Sequence, residues 1–181
     1  IYNGDKQIIG FSGRKVNEDN HYPKWKQVGK KSNWIYPANL PDHDCIDSIK
    51  EKKEVILVES IGDALALYES GIKNVLVLFG VLASPAIISF LSSLDLERIT
   101  ISTNNDKDKK TNVGMVSSIK NFLNLSIYFD LDRLEIKFPP HGWNDFGDAN
   151  ENDYNMKTWL MKSIDRSKQR EFIHRFVKKQ G

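Results

Sequence analysis

VILVESIGD, residues Val55 to Asp63, is the stretch that decides the fold. Four apolar residues lead directly into an acid, Glu59, and a glycine and a second acid follow at Gly62 and Asp63. A continuous apolar run rich in β-branched residues predicts a strand that is buried on both faces. Parallel strands of this kind present functional groups at their carboxyl ends, where the next helix begins. Glu59 therefore lies where α/β proteins commonly place their catalytic and ligand-binding residues.

The residues around this stretch predict an alternation of strands and helices, which favours a mostly parallel sheet. The predicted strands are Val55–Val58, Asn74–Phe79, Arg98–Thr103 and Leu134–Phe138. The predicted helices are Asp44–Lys53, Ile61–Ser70, a helix capped by Ser84 that runs to about Ser93, Lys109–Leu123, and one or two amphipathic helices within Tyr154–Lys179. Short strands and turns are predicted for residues 1–36, with one strand at Gln7–Phe11.

Length and composition are those of a globular domain. The chain has 181 residues, of which 40% are apolar and 28% charged, and no apolar run approaches the roughly 18 residues that cross a bilayer. The sequence begins with Ile1 instead of a methionine and has no signal-peptide pattern. We therefore expect it to be a piece of a longer protein. The single cysteine, Cys45, excludes an internal disulfide and a cysteine-cluster zinc site. We interpret Cys45 and the neighbouring His43 as structural or incidental.

Positive charge is concentrated at the two ends of the chain. Residues 1–35 hold seven Lys or Arg against three acids, and residues 157–181 hold eight against two, although the whole chain has a net charge of only +2. Basic ends around an acidic centre are typical of a protein that holds a polyanion over a metal site. Two solvated faces would give the same distribution, and charge runs alone favour that alternative.

Five acids fall at or just after predicted strand ends, and we interpret them as a site for Mg²⁺. The set is Glu59, Asp63, Asp106, Asp108 and Asp145. Magnesium takes one or two carboxylate oxygens directly and keeps water and substrate phosphates as its other ligands. Each position has an alternative. Glu59 could be a single polar residue at a strand end, and Asp63 lies three residues after Ser60, as in a helix capping box. Asp106 and Asp108 lie in a polar turn, where Asn and Asp are common, and Asp145 belongs to a generally acidic loop.

Aromatic residues and lysines are interleaved near the amino terminus. Trp25, Trp34 and Tyr36 alternate with Lys24, Lys26, Lys30 and Lys31. Aromatic rings among cations stack bases and hold phosphates. The same composition also forms a small aromatic core that is covered by lysine stems, and the sequence leaves both interpretations open.

Three motifs together resemble the Toprim fold of DnaG-type bacterial primases and phage primases or primase-helicases. The segment VESIGD resembles the VEG-x-x-D of that family, with Glu59 and Asp63 in the acidic positions. ISTNNDKD resembles its strand–Asp-x-Asp–helix element, with Asp106 and Asp108. PPHGWNDF resembles the closing motif of the phage members, with Asp145.

Two upstream segments resemble the small basic subdomain that precedes Toprim in these primases. GFSGR supplies Arg14 and PKW supplies Lys24, and Lys15 and Lys26 lie beside them. The resemblance implies that these four residues bind nucleic acid or nucleotide. The sequence departs from the family pattern at four places, namely Ser60, Gly80-Val81, Lys109-Lys110 and Trp143.

The resemblance implies a Toprim (Rossmann-like) α/β domain over residues 41–150, preceded by a basic α+β subdomain at 1–40 and followed by a helical segment at 151–181. It also implies a primase core that makes short RNA primers from nucleoside triphosphates on single-stranded DNA. The expected catalytic residues are Glu59, Asp106 and Asp108, with Asp63 and Asp145 as further ligands of Mg²⁺ or Mn²⁺. We also expect a replicative helicase in cis or in trans, no membrane contact, and the cytoplasm of a bacterial or phage-infected cell.

Two other functions use the same residues. A Toprim nuclease of the overcoming-lysogenisation type would hydrolyse DNA with these acids, but GFSGR and PKW argue against it. A non-catalytic nucleic-acid-binding module would have kept the fold without the catalytic acids. The intact Glu59 and Asp-x-Asp motif argue against this function.

Overall fold

A computed structural model describes residues 1–16, 23, 25–106 and 112–178. Its strands are β1 (Gly10–Arg14), β2 (Trp25–Gly29), β3 (Glu54–Val58), β4 (Val75–Val77), β5 (Arg98–Ser102) and β6 (Leu134–Ile136). The last four form a parallel sheet in the order β4-β3-β5-β6, whereas β1 and β2 form an antiparallel ribbon. The predicted fold class, an α/β domain with a parallel central sheet and a small amino-terminal part, is confirmed.

Helices connect the strands and extend the chain beyond them. They are α1 (Cys45–Lys52), α2 (Ile61–Glu69), α3 (Pro85–Ser92), α4 (Val113–Leu125), α5 (Phe146–Glu151), α6 (Met156–Met161) and α7 (Arg166–Lys178). Several begin at the predicted caps: the hydroxyl of Ser84 accepts a hydrogen bond from the backbone N–H of Ile87, and Pro85 occupies the first turn of α3. Gly71, with a φ of +80°, follows the end of α2.

The sheet is covered on both faces because successive side chains of a strand point to opposite sides. Val55 and Leu57 of β3 join a core with residues of α1, α3, α4 and α7. Ile56 and Val58 join a second core with residues of α2, α5 and α6 and with the fully buried Trp34. This double burial is why the strands are apolar without interruption.

The direction of the connections changes between β3 and β5. From β3 the chain passes through α2 to β4 on one side, and it then returns through α3 to β5 on the other side. In open α/β sheets, such a change of direction leaves a crevice at the carboxyl ends of the two strands. Glu59 and the residues after Ser102 leave the sheet at this crevice.

Four predicted elements differ from the structure. The strand predicted at Gln7–Phe11 is instead β1, Gly10–Arg14, because pairing with β2 uses Gly13 and Arg14. The strands predicted to end at Phe79 and Phe138 are the short β4 and β6. The acidic loop predicted after Asp145 is the helix α5.

The predicted carboxyl-terminal helices are α6 and α7, and both contact the sheet domain. Trp159 of α6 stacks edge-on against Phe146 of α5, with ring centroids 4.8 Å apart. Ile173 of α7 belongs to the first core. No helix in the described part of the chain combines the length and the apolar character needed to cross a bilayer.

Candidate active site

The loops after β3 and β5 bring Glu59 beside the segment that contains Asp106. Val58 and Ser102, the last residues of these parallel strands, are paired in register. The two loops therefore start side by side, and the Oε2 atom of Glu59 lies 3.5 Å from the backbone N–H of Asn104. The structure thus places the first predicted acid against the loop that leads to the Asp-x-Asp motif.

Asp106 is anchored to the start of α4. Its side chain is only 7% exposed, and its Oδ2 accepts a hydrogen bond of 3.2 Å from the backbone N–H of Gly114. The hydroxyl of Thr103 donates to the carbonyl of Gly114 and lies 2.7 Å from the hydroxyl of Ser118. Buried polar groups with partners of this kind fix their surroundings, so the loop after β5 is held against α4. Asp108, the second acid of the motif, lies outside the described residues.

Gly114 permits this close approach. A Cβ atom at this position would lie 1.7 Å from the carbonyl oxygen of Asn104, which is far below any real contact. The residue that precedes α4 also serves the loop, because the amide of Asn112 donates to the side chain of Asn105 and its oxygen caps the helix at Met115. These contacts have no direct signal in the sequence, apart from a glycine within a predicted helix.

Asp63 closes a capping box at the start of α2. Its Oδ2 accepts hydrogen bonds from the backbone N–H and the hydroxyl of Ser60, and its Oδ1 accepts one of 3.0 Å from the backbone N–H of Phe146. The capping interpretation is confirmed, and the role of Asp63 as a metal ligand stays a prediction. The departure from the family pattern at Ser60 also gains a reason, because a glycine there has no hydroxyl for this box.

Burial raises the pKa of Asp63 to about 6. The side chain is 2% exposed, and loss of solvent disfavours its charged form. The hydrogen bond from Ser60 lowers the pKa, and the nearby carboxylate of Asp145 raises it again. Asp145 therefore lies close enough to interact with Asp63 electrostatically. It is the N-cap of α5, and its Oδ1 accepts a hydrogen bond of 2.7 Å from the backbone N–H of Asp148.

A cavity of about 230 Å³ lies beside these acids, and Arg14 of the ribbon contributes to its lining. It is lined by Arg14, Trp25, Ser60, Gly62, Asp63, Asn104, Asp145, Gly147, Asp148 and Glu151. A second cavity of about 200 Å³ is lined by Trp25, Gln27, Glu59, Ser60, Ile61, Phe79 and Gly80. Trp25 and Ser60 line both cavities. From the sequence, Trp25 was only one of several aromatic residues among lysines, so its place in these two cavities was not predicted.

The register of the ribbon separates the predicted basic residues. Arg14 is paired with Trp25 and shares its face, which is turned to the cavities. Lys26 follows Trp25 on β2, so its exposed side chain points to the opposite face. Lys15 is half-buried just after β1. Lys24 lies outside the described residues. Of these four residues, the structure thus shows Arg14 among the acids, and Lys26 on the far side of the ribbon.

The donor set at the sheet edge suits a hard cation but is not complete in the described residues. Glu59 and Asp106 offer carboxylate oxygens, which Mg²⁺ prefers. Within residues 1–16, 23, 25–106 and 112–178, no three His, Cys, Asp or Glu side chains are grouped closely enough to hold a metal ion. Asp108 is outside that range. His43 and Cys45 lie elsewhere, and burial raises the pKa of the Cys45 thiol to about 12.

Comparison with solved structures identifies the fold. A primase from Aquifex aeolicus, comprising zinc-binding and RNA polymerase domains, matches with a TM-score of 0.65 and 22% identity over 96% of this chain and 38% of its own. A DnaG catalytic core matches with a TM-score of 0.69 and 19% identity over 93% of this chain and 51% of its own. The chain has the fold of a DnaG primase catalytic core.

A further structure with this primase-core fold, a DnaG primase catalytic domain bound to single-stranded DNA, matches with a TM-score of 0.65 and 18% identity. It is covered over 51% of its length, so this chain spans about half or less of the primase chains that it resembles. No protein-family model matches the sequence, and a search of curated proteins gave no significant match.

Proposed function

We propose that this chain is the catalytic core of a primase, a nucleotidyltransferase that makes short RNA primers from nucleoside triphosphates on a single-stranded DNA template. The observation that carries the proposal is the contact between Glu59 and the loop of Asp106 at the carboxyl edge of the sheet. The primase-core fold supports the same assignment. The proposed division is a basic part at 1–40, the Toprim domain at 41–150 and a helical segment at 151–181.

In this proposal Glu59, Asp106 and Asp108 hold Mg²⁺ or Mn²⁺, with Asp63 and Asp145 as further acids of the site. The bound cation would neutralise charge on the phosphates and align them for nucleotidyl transfer. The protein contributes positioning: Gly114 fixes the Asp106 carboxylate through its N–H, and the capping box fixes the first turn of α2 beside Glu59.

Arg14 supplies the positive charge for the nucleic acid or nucleotide side of the same site. Its position in a cavity with Asp63 and Asp145 favours a phosphate that arrives together with a cation, since the acids alone would repel a bare polyanion. Trp25, next to Arg14 on this face, offers an apolar surface to a base or a sugar. The proposal includes a replicative helicase, in cis or in trans, as the partner that supplies the single strand.

The test is RNA synthesis with single-stranded template, ribonucleotides and Mg²⁺ or Mn²⁺. We expect short RNA products, and we expect Asp106→Asn to reduce them at least about 100-fold. This change keeps the size of the side chain and an oxygen for the Gly114 N–H, but it removes the charge that a cation needs. Asp47→Asn, an equal change at an exposed position on α1, is the control and should retain activity.

A template with a preformed primer end should be included, because it bypasses initiation by domains outside this chain. Cleavage of DNA without incorporation of nucleotides would overturn the primase assignment in favour of the nuclease. If neither activity nor metal binding is measurable, the chain is a nucleic-acid-binding module.

A further inference from the structure

The ribbon has a second face that points away from the cavities. We call it the outer ribbon face and define it by Phe11, Gly13, Lys26 and Val28. In the register of the two strands, Phe11 is paired with Val28, and Gly13 is paired with Lys26. Phe11 is 65% exposed and Val28 57% exposed, so both side chains meet solvent. An aromatic ring and a branched aliphatic side chain held side by side on a strand pair form a flat apolar platform.

Positive charge lies directly beside this platform. Lys26 is two residues from Val28 on the same face of β2, and the space around its partner Gly13 is open, since a Cβ atom there would have no neighbour within 4 Å. Within the described residues, none of the ion pairs includes Lys26. Residues 1–35 as a whole hold seven cations against three acids. A neutral apolar partner would gain nothing from this charge, whereas a polyanion would.

The size of the platform also indicates which kind of ligand it can bind. A stable protein–protein interface buries about 800 Å² on each partner, and one aromatic residue supplies about 150–250 Å². Phe11 and Val28 together fall well short of that area. A single nucleic acid base needs only one ring to stack on, and a cation within reach for its phosphate.

We propose that the outer ribbon face binds single-stranded nucleic acid, with a base stacked on Phe11 and a neighbouring phosphate held by Lys26. This inference rests on the proposed function, which it extends by a second contact for the template strand. Arg14 and Lys26 lie on opposite faces at the same end of the ribbon, since Arg14 is paired with the residue before Lys26. A strand that passes around this end meets both cations in turn.

The experiment measures binding of fluorescent oligothymidylates of 5 and 20 nucleotides by anisotropy, with EDTA present and without nucleotides. We expect Phe11→Ala to weaken binding of the 20-mer by about 5- to 150-fold. Phe11→Trp keeps a stacking ring and should retain wild-type binding. Tyr128→Ala removes an exposed aromatic ring far along the sequence, in the turn that follows α4, and should have no effect.

Lys26→Ala provides a second, independent variant. Loss of one phosphate contact should flatten the dependence of log K on log salt by about 0.7 for a single strand, whereas Lys50→Ala on α1 should leave the slope unchanged. The 5-mer is long enough to place one base on Phe11 and a phosphate at Lys26, so Phe11→Ala should weaken its binding as well as that of the 20-mer.

Wild-type binding of the 20-mer by Phe11→Ala, or absence of binding by the wild type, would overturn the inference. Concentration-dependent self-association that Phe11→Ala abolishes would assign the outer ribbon face to a second copy of the chain. Since binding is measured without nucleotides and divalent cations, failure to synthesise RNA would overturn the proposed function and leave this result standing.

Discussion

At the scale of single residues, two glycines occupy comparable positions beside the site, but only Gly114 is needed for a close backbone contact. Gly62 and Gly114 are each the second residue of a helix that begins at the carboxyl edge of the sheet. A Cβ atom on Gly62 would meet its nearest neighbour, the hydroxyl oxygen of Ser60, at 3.5 Å, which is an ordinary contact. At Gly114 it would meet the backbone oxygen of Asn104 at 1.7 Å, and a backbone atom cannot rotate away.

We therefore expect Gly114→Ala to destabilise the protein and Gly62→Ala to be tolerated. Alanine is favoured over glycine in a helix by about 1 kcal/mol, but overpacking costs about 1–3 kcal/mol or more, so the clash dominates at Gly114. Urea unfolding of both variants measures the difference. Because Asn104 must move, Gly114→Ala should also reduce RNA synthesis more than its loss of stability explains. Equal stability of the two variants would contradict this account of the loop.

At the scale of elements, an electrostatic contact joins the start of α1 to α2 and to the segment that follows α2. Asp44, at the start of α1, accepts hydrogen bonds from the hydroxyl of Tyr68 and from the ammonium of Lys73. The bond from Lys73, followed by that from Tyr68, lowers the pKa of Asp44 from 3.8 to about 2. The charged carboxylate is thus the form that the folded state prefers.

A pH dependence of stability follows from this shift. Because the pKa is lower in the folded state, Asp44 stabilises the protein above about pH 4, and this contribution is lost as the pH falls towards 2. Asp44→Asn should therefore be less stable than the wild type at pH 7, and the difference should shrink between pH 4 and 2. Urea unfolding across this range measures it. In a Lys73→Ala background the substitution should cost less, and a difference independent of pH would contradict the assignment.

Elements with strong local signals were predicted from the sequence, and those defined by tertiary contacts were not. The uninterrupted apolar residues of β3 and the Ser84-Pro85 start of α3 are local, and both elements lie where they were predicted. Helix α5 was missed because its six residues have no apolar periodicity; the Asp145 cap and the packing of Phe146 define it. β1 was misplaced because Gly10 and Gly13 resemble turn residues, although pairing with β2 places Gly10 against the ring of Trp34.

The candidate site was predictable to a similar extent. Strand ends followed by acids indicate a common edge, and the structure places Glu59 against the loop of Asp106 there. The division of the basic residues was not predictable, because a shift of one residue in the register of β1 and β2 would exchange the two faces of the ribbon. Arg14 faces the acids and Lys26 does not, and only the pairing decides this.

At the scale of the whole molecule, the open question is whether the positive charge acts locally or diffusely. A diffuse field would attract nucleic acid wherever a cation lies, including the basic helix α7. A local site would depend on Arg14, which shares a cavity with Trp25, Asp63 and Asp145. Arg14 and Arg175 separate these cases, because replacement of either by alanine changes the net charge equally.

We expect Arg14→Ala to weaken binding of single-stranded DNA or nucleotide and to flatten the salt slope for DNA by about 0.7, because one phosphate contact is lost. Arg175→Ala should leave both quantities unchanged, since its guanidinium already pairs with Glu171 on the exposed side of α7. Fluorescence anisotropy at several salt concentrations gives affinity and slope together. Both variants should unfold at wild-type temperatures, because each side chain is exposed. Equal losses in the two variants would indicate a diffuse field, and an unchanged slope in Arg14→Ala would remove this residue from the nucleic acid path.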